Sequence, residues 1–194
     1  MKRELSMNED RINGILAKNM KAHGDIENVR AEIREGFFIL KLFTNFPTNP
    51  VICLSLMPDR ISSTGKDYSI QFQIRELYVE SPEGSRQESF LTKENLDRFV
   101  EAQLGQIEFL RKQGDVILME VGKETELGAM AELAPDLVEK AIRTSRILCR
   151  FRELVIETEI SDWDIKSALL KNPAAISSFF ANGGVMKGFM DRFR

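Results

Sequence analysis

Tyr68-Ser-Ile-Gln-Phe-Gln-Ile74 is the stretch on which the fold turns. Tyr68, Ile70, Phe72 and Ile74 point one way, and Ser69, Gln71, Gln73 and Arg75 the other. A two-residue period this clean predicts a strand with one face in a core and one in water, hence an antiparallel sheet. At Arg75-Glu76 the alternation slips by one before Leu77 and Val79, which either a β-bulge or a strand break produces. Ser81-Pro-Glu-Gly84 has turn chemistry, and Ser85–Leu91 is expected to return as a short edge strand.

Toward the N-terminus the same reading extends. Val51–Met57 is expected as a strand that resumes at Ile61–Thr64 after a kink at Pro58-Asp59. Phe46-Pro-Thr-Asn-Pro50 is a loop, because both prolines lack an N–H for a ladder. Glu35-Gly36 reads as a tight turn between Phe37–Phe43 and a half-exposed strand in which Val29, Ala31 and Ile33 alternate with charged residues. Before that, Met7–Ala22 is expected as a helix: Ser6 and Glu9 have capping-box spacing, and Ile12, Ile15, Leu16 and Met20 share a face.

Toward the C-terminus, Leu96, Phe99, Val100, Leu104, Ile107 and Leu110 form one apolar stripe, so a single long helix is predicted over Thr92–Gln113, capped by Thr92 and stopped by Gly114. Asp115–Val121 reads as a strand and Pro135–Thr144 as a helix with proline in its first turn. Arg146–Ile160 is one long strand or a hairpin without an obvious turn; its phase slips at Arg152-Glu153, as at Arg75-Glu76, which leaves room for two related halves. A helix opens at Ser161 with Asp164, breaks at Asn172-Pro173, and ends in a segment rich in Phe and Met.

Composition bounds the function. The 194 residues carry 43% hydrophobic and 29% charged side chains, an ordinary globular balance. A net charge of −3 supplies no basic field, so nucleic acid is not an expected partner. No apolar run reaches the roughly 20 residues that span a bilayer, and the charged start has no apolar segment behind it. A cytoplasmic location is therefore expected, or an exported one if a leader has been removed.

No catalytic constellation stands out. His23 is the only histidine and sits beside Gly24 at an expected helix end, where a structural role is ordinary. Cys53 and Cys149 are too few for a zinc site, lie in strand-like apolar runs, and read as buried small hydrophobes. Whether they pair is not legible from spacing. Asp162/Asp164 and Glu157/Glu159 are spaced i, i+2, but a solvated acidic face is the simpler reading, so neither a metal nor another cofactor is expected. Most of the 13 Phe residues must fill the core. The tail differs: Phe179, Phe180, Val185, Phe189, Met190 and Phe193 are candidates for contact with the domain itself, with a protein partner or with a membrane.

Leu5-Ser-Met-Asn-Glu-Asp-Arg-Ile-Asn-Gly-Ile-Leu16, followed by Ile26–Ile33 and by Ile61–Phe72, resembles the opening of small bacterial lipid-binding proteins of the tubular, TULIP-like type. That resemblance implies an N-terminal helix, a curved antiparallel sheet wrapped on a long helix, and an apolar groove that holds acyl chains. It assigns no ligand-contacting residue.

The expected architecture is thus a single α+β domain over 1–194, or one with a helical appendage over 161–194. Its centre is a strongly twisted antiparallel sheet of about six to eight strands on one long helix, with N- and C-terminal helices. The expected function is non-enzymatic binding of a lipid-like or other apolar ligand, with a protein-interaction module built on the C-terminal helix as the alternative.

Overall fold

The computed structural model describes residues 3–19, 25–64, 67–81, 86–87, 92–105, 107, 109–121 and 135–171. It is α+β, and every strand pairing is antiparallel. The ten described strands form two sheets rather than the single one expected. β1 (Arg3–Asn8) lies beside β10 (Glu153–Thr158), which pairs with β9 (Arg146–Arg150). The larger, strongly curled sheet contains β2 (Ile26–Arg34), β3 (Phe37–Thr44), β4 (Val51–Thr64), β5 (Asp67–Glu80), β6 (Arg86–Gln87), β7 (Leu110–Gln113) and β8 (Val116–Val121). Its order is β2-β3-β4-β5-β8-β7, with β6 also on β5.

The slip at Arg75 is a bulge. Ile74 pairs with Leu56 and Glu76 with Ser55, which leaves Arg75 without a partner inside a continuous strand. The Pro58-Asp59 kink is a second one, because Pro58 faces Phe72, Arg60 faces Gln71, and Asp59 is skipped. Each bulge raises the local twist, and two of them in the longest strand pair account for the curl. The slip at Arg152 is of another kind: Arg150 pairs with Glu153, so Phe151-Arg152 is a hairpin turn. The two slips are therefore not copies of one feature.

The expected long helix is corrected. Helix α2 spans Lys93–Leu104; its N-cap is Thr92, whose hydroxyl accepts from Asn95 N as expected, but it ends at Gly105. Leu110–Gln113 then turns to strand geometry, with Leu110 and Lys112 buried and Arg111 and Gln113 exposed. Gly114 does not stop a helix. At φ +58° it forms, with Asp115, the two-residue turn of the β7–β8 hairpin, a conformation that costs glycine nothing. Leu96, Val100 and Leu104 are at most 3% exposed. Burying each contributes about 1.5–3 kcal/mol, which holds in place a helix too short to persist alone.

The N-terminal helix is corrected too. Met7 and Ser6 belong to β1, where they face Leu154 and Val155, and helix α1 runs over Glu9–Asn19. Its cap is Asn8, whose side-chain oxygen accepts from Arg11 N at 2.8 Å. Glu9 turns outward from the helix and accepts from Ile33 N at 2.7 Å, while the Asn13 side chain exchanges hydrogen bonds with Ala31 N and O at 2.6 and 2.9 Å. One turn of α1 thus replaces the missing neighbour of edge strand β2. Helix α3 (Pro135–Arg143) starts at the expected proline, and α4 (Asp162–Lys171) starts on a reciprocal Ser161/Asp164 cap.

Both sheets, α1, α2 and α3 contribute to one buried cluster. The β9–β10 hairpin is keyed into it at Arg152, which has φ +59°. Arg152 N donates to Ile33 O, its carbonyl accepts from Glu9 N, and Gly36 N donates to Cys149 O, each within 3.0 Å.

Candidate functional site

Bulged, alternating strands give the larger sheet an apolar concave face. Phe38, Leu40, Leu54, Ile70 and Phe72 on that face are each at most 3% exposed, and the Phe38 and Phe72 rings lie 5.1 Å apart. At about 3.4 Å per residue the 14 residues of β4 and of β5 extend roughly 45 Å. The 12 residues of α2 cover only about 18 Å at 1.5 Å each.

The wall of this face is split where β5 carries its bulge. On the side away from β4, β8 pairs with Tyr68–Gln73, and β6 takes over only at Val79. Among the described residues no strand pairs with 74–78 on that side, and the β7–β8 turn borders the split through Ile74 N donating to Asp115 O at 2.8 Å. Inward-directed Ile74 and Leu77 are half-buried there. Phe99 of α2 packs instead on Phe46, at 5.5 Å between ring centroids, and Phe109 lies beside Glu120 at the other end of β8. An open recess of about 660 Å³ follows β7 next to the end of α2, lined by Glu101, Gly105, Ile107, Arg111, Lys112 and Gln113.

The recess is polar, but its cations are spoken for. Lys112 points inward from edge strand β7 with a side chain 1% exposed, and its ammonium donates to Asp97 at 3.0 Å, with Glu101 at 3.9 Å. Arg111 pairs with Glu120 at 2.8 Å. Neither is poised for an anion. An inward-pointing charge on a short edge strand instead disfavours pairing with another chain.

On the convex face, Lys41 of β3 reaches Glu32 at 3.0 Å and, across β4, Glu80 at 3.2 Å. Burial works against the Lys41 charge, but hydrogen bonds to Glu32 and Glu80 outweigh it and raise the ammonium above its ordinary value. Glu32 is likewise lowered: the bonds from Lys41 and Arg34 overcome its burial. The cross-strand neighbours of Cys53 are Lys41 and Tyr78, so the bridge to Glu80 passes over a thiol with no exposed surface. Burial, reinforced by the Glu80 charge, pushes Cys53 up to about 12. Cys149 is pushed to about 12 by burial and by Glu35. Both are free, buried thiols, which matches the reading as small hydrophobes. Held neutral, neither supplies a nucleophile.

Asp164 and Glu157, one member of each carboxylate pair, are engaged by different cations. Asp164 accepts from Lys140 at 2.7 Å and from Ser161, which holds it well below the usual carboxylate range, and Glu157 accepts from Arg150 at 3.1 Å. No three His, Cys, Asp or Glu groups among the described residues could hold one metal ion. His23 and the tail candidates Phe179, Phe180, Val185, Phe189, Met190 and Phe193 lie outside the described residues. No described helix is long and apolar enough to cross a membrane.

Sequence reasoning did not single out the exposed apolar residues. Phe151, at the tip of the β9–β10 hairpin, is 76% exposed, and Trp163 and Leu170 on α4 are 72% and 73% exposed. The signal for Phe151 was present as a turn without glycine or asparagine; for α4 it was the i, i+7 spacing of Trp163 and Leu170. No family model, curated protein or solved structure matches this chain.

Proposed function

We propose that the protein binds an apolar, acyl-chain-like ligand without transforming it, at the split in the wall of the concave face. The observation that carries this is the pair of half-buried, inward-directed side chains at the split, Ile74 and Leu77, on a stretch of β5 that no described strand covers on that side. Phe38, Leu40, Leu54, Ile70 and Phe72 of the same face are at most 3% exposed, so a ligand chain gains more by displacing water from Ile74 and Leu77 than from them. Each methylene that leaves water contributes about 0.8 kcal/mol, so roughly eight of them reach a Kd in the range of tens of micromolar. The paired state of Arg111 and Lys112 fits a ligand recognised by its apolar body rather than by a charge. The resemblance of the N-terminal half to tubular lipid-binding proteins points the same way.

Delipidated protein titrated with a fluorescent fatty acid is expected to bind it saturably, and Leu77→Gln and Ile74→Asn are expected to weaken binding at least tenfold while the domain stays folded, as about 1.5–3 kcal/mol of apolar contact is lost at each position. Absence of saturable binding, or undiminished affinity in both variants, refutes the reading. A second reading, an assembly module, is favoured by Phe151. Three long-range backbone bonds and the bonds of Arg152 to Glu9 and Asp10 hold its turn rigid, which presents the ring as a pre-organised anchor. A hydrodynamic radius that falls on Phe151→Ser, with unchanged circular dichroism, would support it.

A further inference from the structure

The described surface carries a second apolar feature, remote in sequence from the concave face. Helix α4 exposes Trp163 and Leu170, seven residues apart. At about 100° per residue they are offset by only about 20°, so they form one stripe along the ten-residue helix. Lys166 then lies about 60° to one side of Trp163 and Lys171 about 80° to the other, which brackets the stripe with cations. Both lysines are exposed. Lys166 has no ion pair among the described residues, and Lys171 has only Asp136 at 3.9 Å, a pair whose members are 71% and 84% exposed. The same helix carries two acids: Asp164 is turned toward Lys140 of α3, and Asp162 precedes Trp163, about 40° beyond Lys166 on the side away from the stripe.

We propose that α4 is a peripheral docking surface for membranes containing anionic lipid, with Trp163 and Leu170 entering the headgroup region and Lys166 and Lys171 extending to lipid phosphates. An interfacial helix needs this arrangement: an apolar stripe one or two side chains wide, a tryptophan at the polar–apolar boundary, and long cationic stems that keep their charges in water. Charge selects this surface over the other exposed aromatic. Phe151 stands among four acids, Glu4, Glu9, Asp10 and Glu153, which Arg150 and Arg152 only partly offset, whereas the two lysines of α4 balance its two acids. The net charge of −3 makes the attraction local to α4 and therefore strongly dependent on salt. The contact goes beyond the ligand reading and does not require the concave face to be occupied.

Trp163 is the only tryptophan in the chain, so its emission reports on α4 alone. Full-length protein mixed with vesicles of equal parts phosphatidylglycerol and phosphatidylcholine is expected to show a blue-shifted, brighter emission that reverses with added salt. The double variant Lys166→Gln/Lys171→Gln is expected to bind roughly 25-fold more weakly, about fivefold for each charge removed. Leu170→Gln is expected to lose at least about tenfold with its apolar contact, and Trp163→Ser, followed by vesicle co-sedimentation, a similar amount. Three results overturn the proposal: unchanged emission at millimolar anionic lipid, undiminished binding by the double lysine variant, or an emission already blue-shifted without vesicles in a concentration-dependent way, which assigns the face to a second copy. Fatty-acid binding is read from the probe's own emission, so either reading can fail without the other.

Discussion

Raising the pH is expected to unfold this protein through its two thiols. Cys53 and Cys149 are 0% and 3% exposed and stay protonated up to about pH 12 in the fold. In the unfolded chain a thiol ionises near pH 8.5. A group whose pKa is raised by folding contributes stability that is complete below its unfolded pKa and declines as pH climbs toward the folded one. The window here is about pH 8.5 to 12. At about pH 10.5 each thiol has lost roughly 2.7 kcal/mol, at about 1.36 kcal/mol per pH unit, so the pair removes about 5 kcal/mol. That is a large part of the 5–15 kcal/mol typical of a domain. The assay is urea unfolding followed by circular dichroism at about pH 8, 9.5 and 10.5, on wild type and on Cys53→Ala/Cys149→Ala. The variant is expected to start less stable at neutral pH, because small cavities replace both sulfurs, yet to lose about 5 kcal/mol less across the window. Lys41, raised as well, titrates in both proteins and cancels in the comparison. Parallel pH profiles for the two proteins would refute the assignment of the alkaline transition to buried thiols.

Other substitutions probe the contacts that hold the two sheets together. Asn13→Ala removes the side chain that exchanges two hydrogen bonds with Ala31, and is expected to cost about 2–3 kcal/mol in urea unfolding and to raise self-association through the bared β2 edge, read by light scattering. Asp97→Ala is expected to be more destabilising than Lys112→Met, by a margin of about 2 kcal/mol, because only the first leaves a buried charge without its main partner; equal losses would refute this. Lys112→Met should also make β7 more prone to edge-to-edge association at high concentration. Arg152→Gly is expected to be more stable than Arg152→Ala by about 1 kcal/mol, since both lose the bonds to Glu9 and Asp10 but only glycine adopts φ +59° without strain.

The elements that could be read from the chain were those whose signal is complete within a few residues. Alternation at Val29–Ile33 and Tyr68–Ile74, the Glu35-Gly36 turn, the Thr92 cap and Pro135 at a helix start each depend on local sterics or on one hydrogen bond three residues away. Boundaries decided by a distant partner could not be read this way. Ser6 and Glu9 have capping-box spacing, yet β10 offers Arg3–Asn8 a ladder from the far end of the chain, and that pairing prevails. Glu9 and Asn13 look like ordinary helix surface, and only the free edge of β2 gives them their task. The stripe from Leu96 through Leu110 satisfies a helical period, but its last part satisfies a strand period as well. The pairing with β8 across Gly114 chooses between them.

The candidate site was legible only as a class. An apolar face on an antiparallel sheet follows from alternation, whereas the split at residues 74–78 depends on where β8 stops and β6 begins, a matter of register between separate strands. Trp163, Lys166, Leu170 and Lys171 could be placed on one helical face from spacing, but whether that face is buried depends on which side of α4 meets α3, and the Lys140–Asp164 pair sets that. The sequence by itself determined the α+β class, the antiparallel pairing and an apolar sheet face, because side-chain alternation is intrinsic to an extended backbone. Tertiary structure decided the length of α2, the division into two sheets, the role of Arg152 and the places where apolar surface stays open. Each of these depends on a backbone or apolar group finding a partner far along the chain, and no local pattern carries that information.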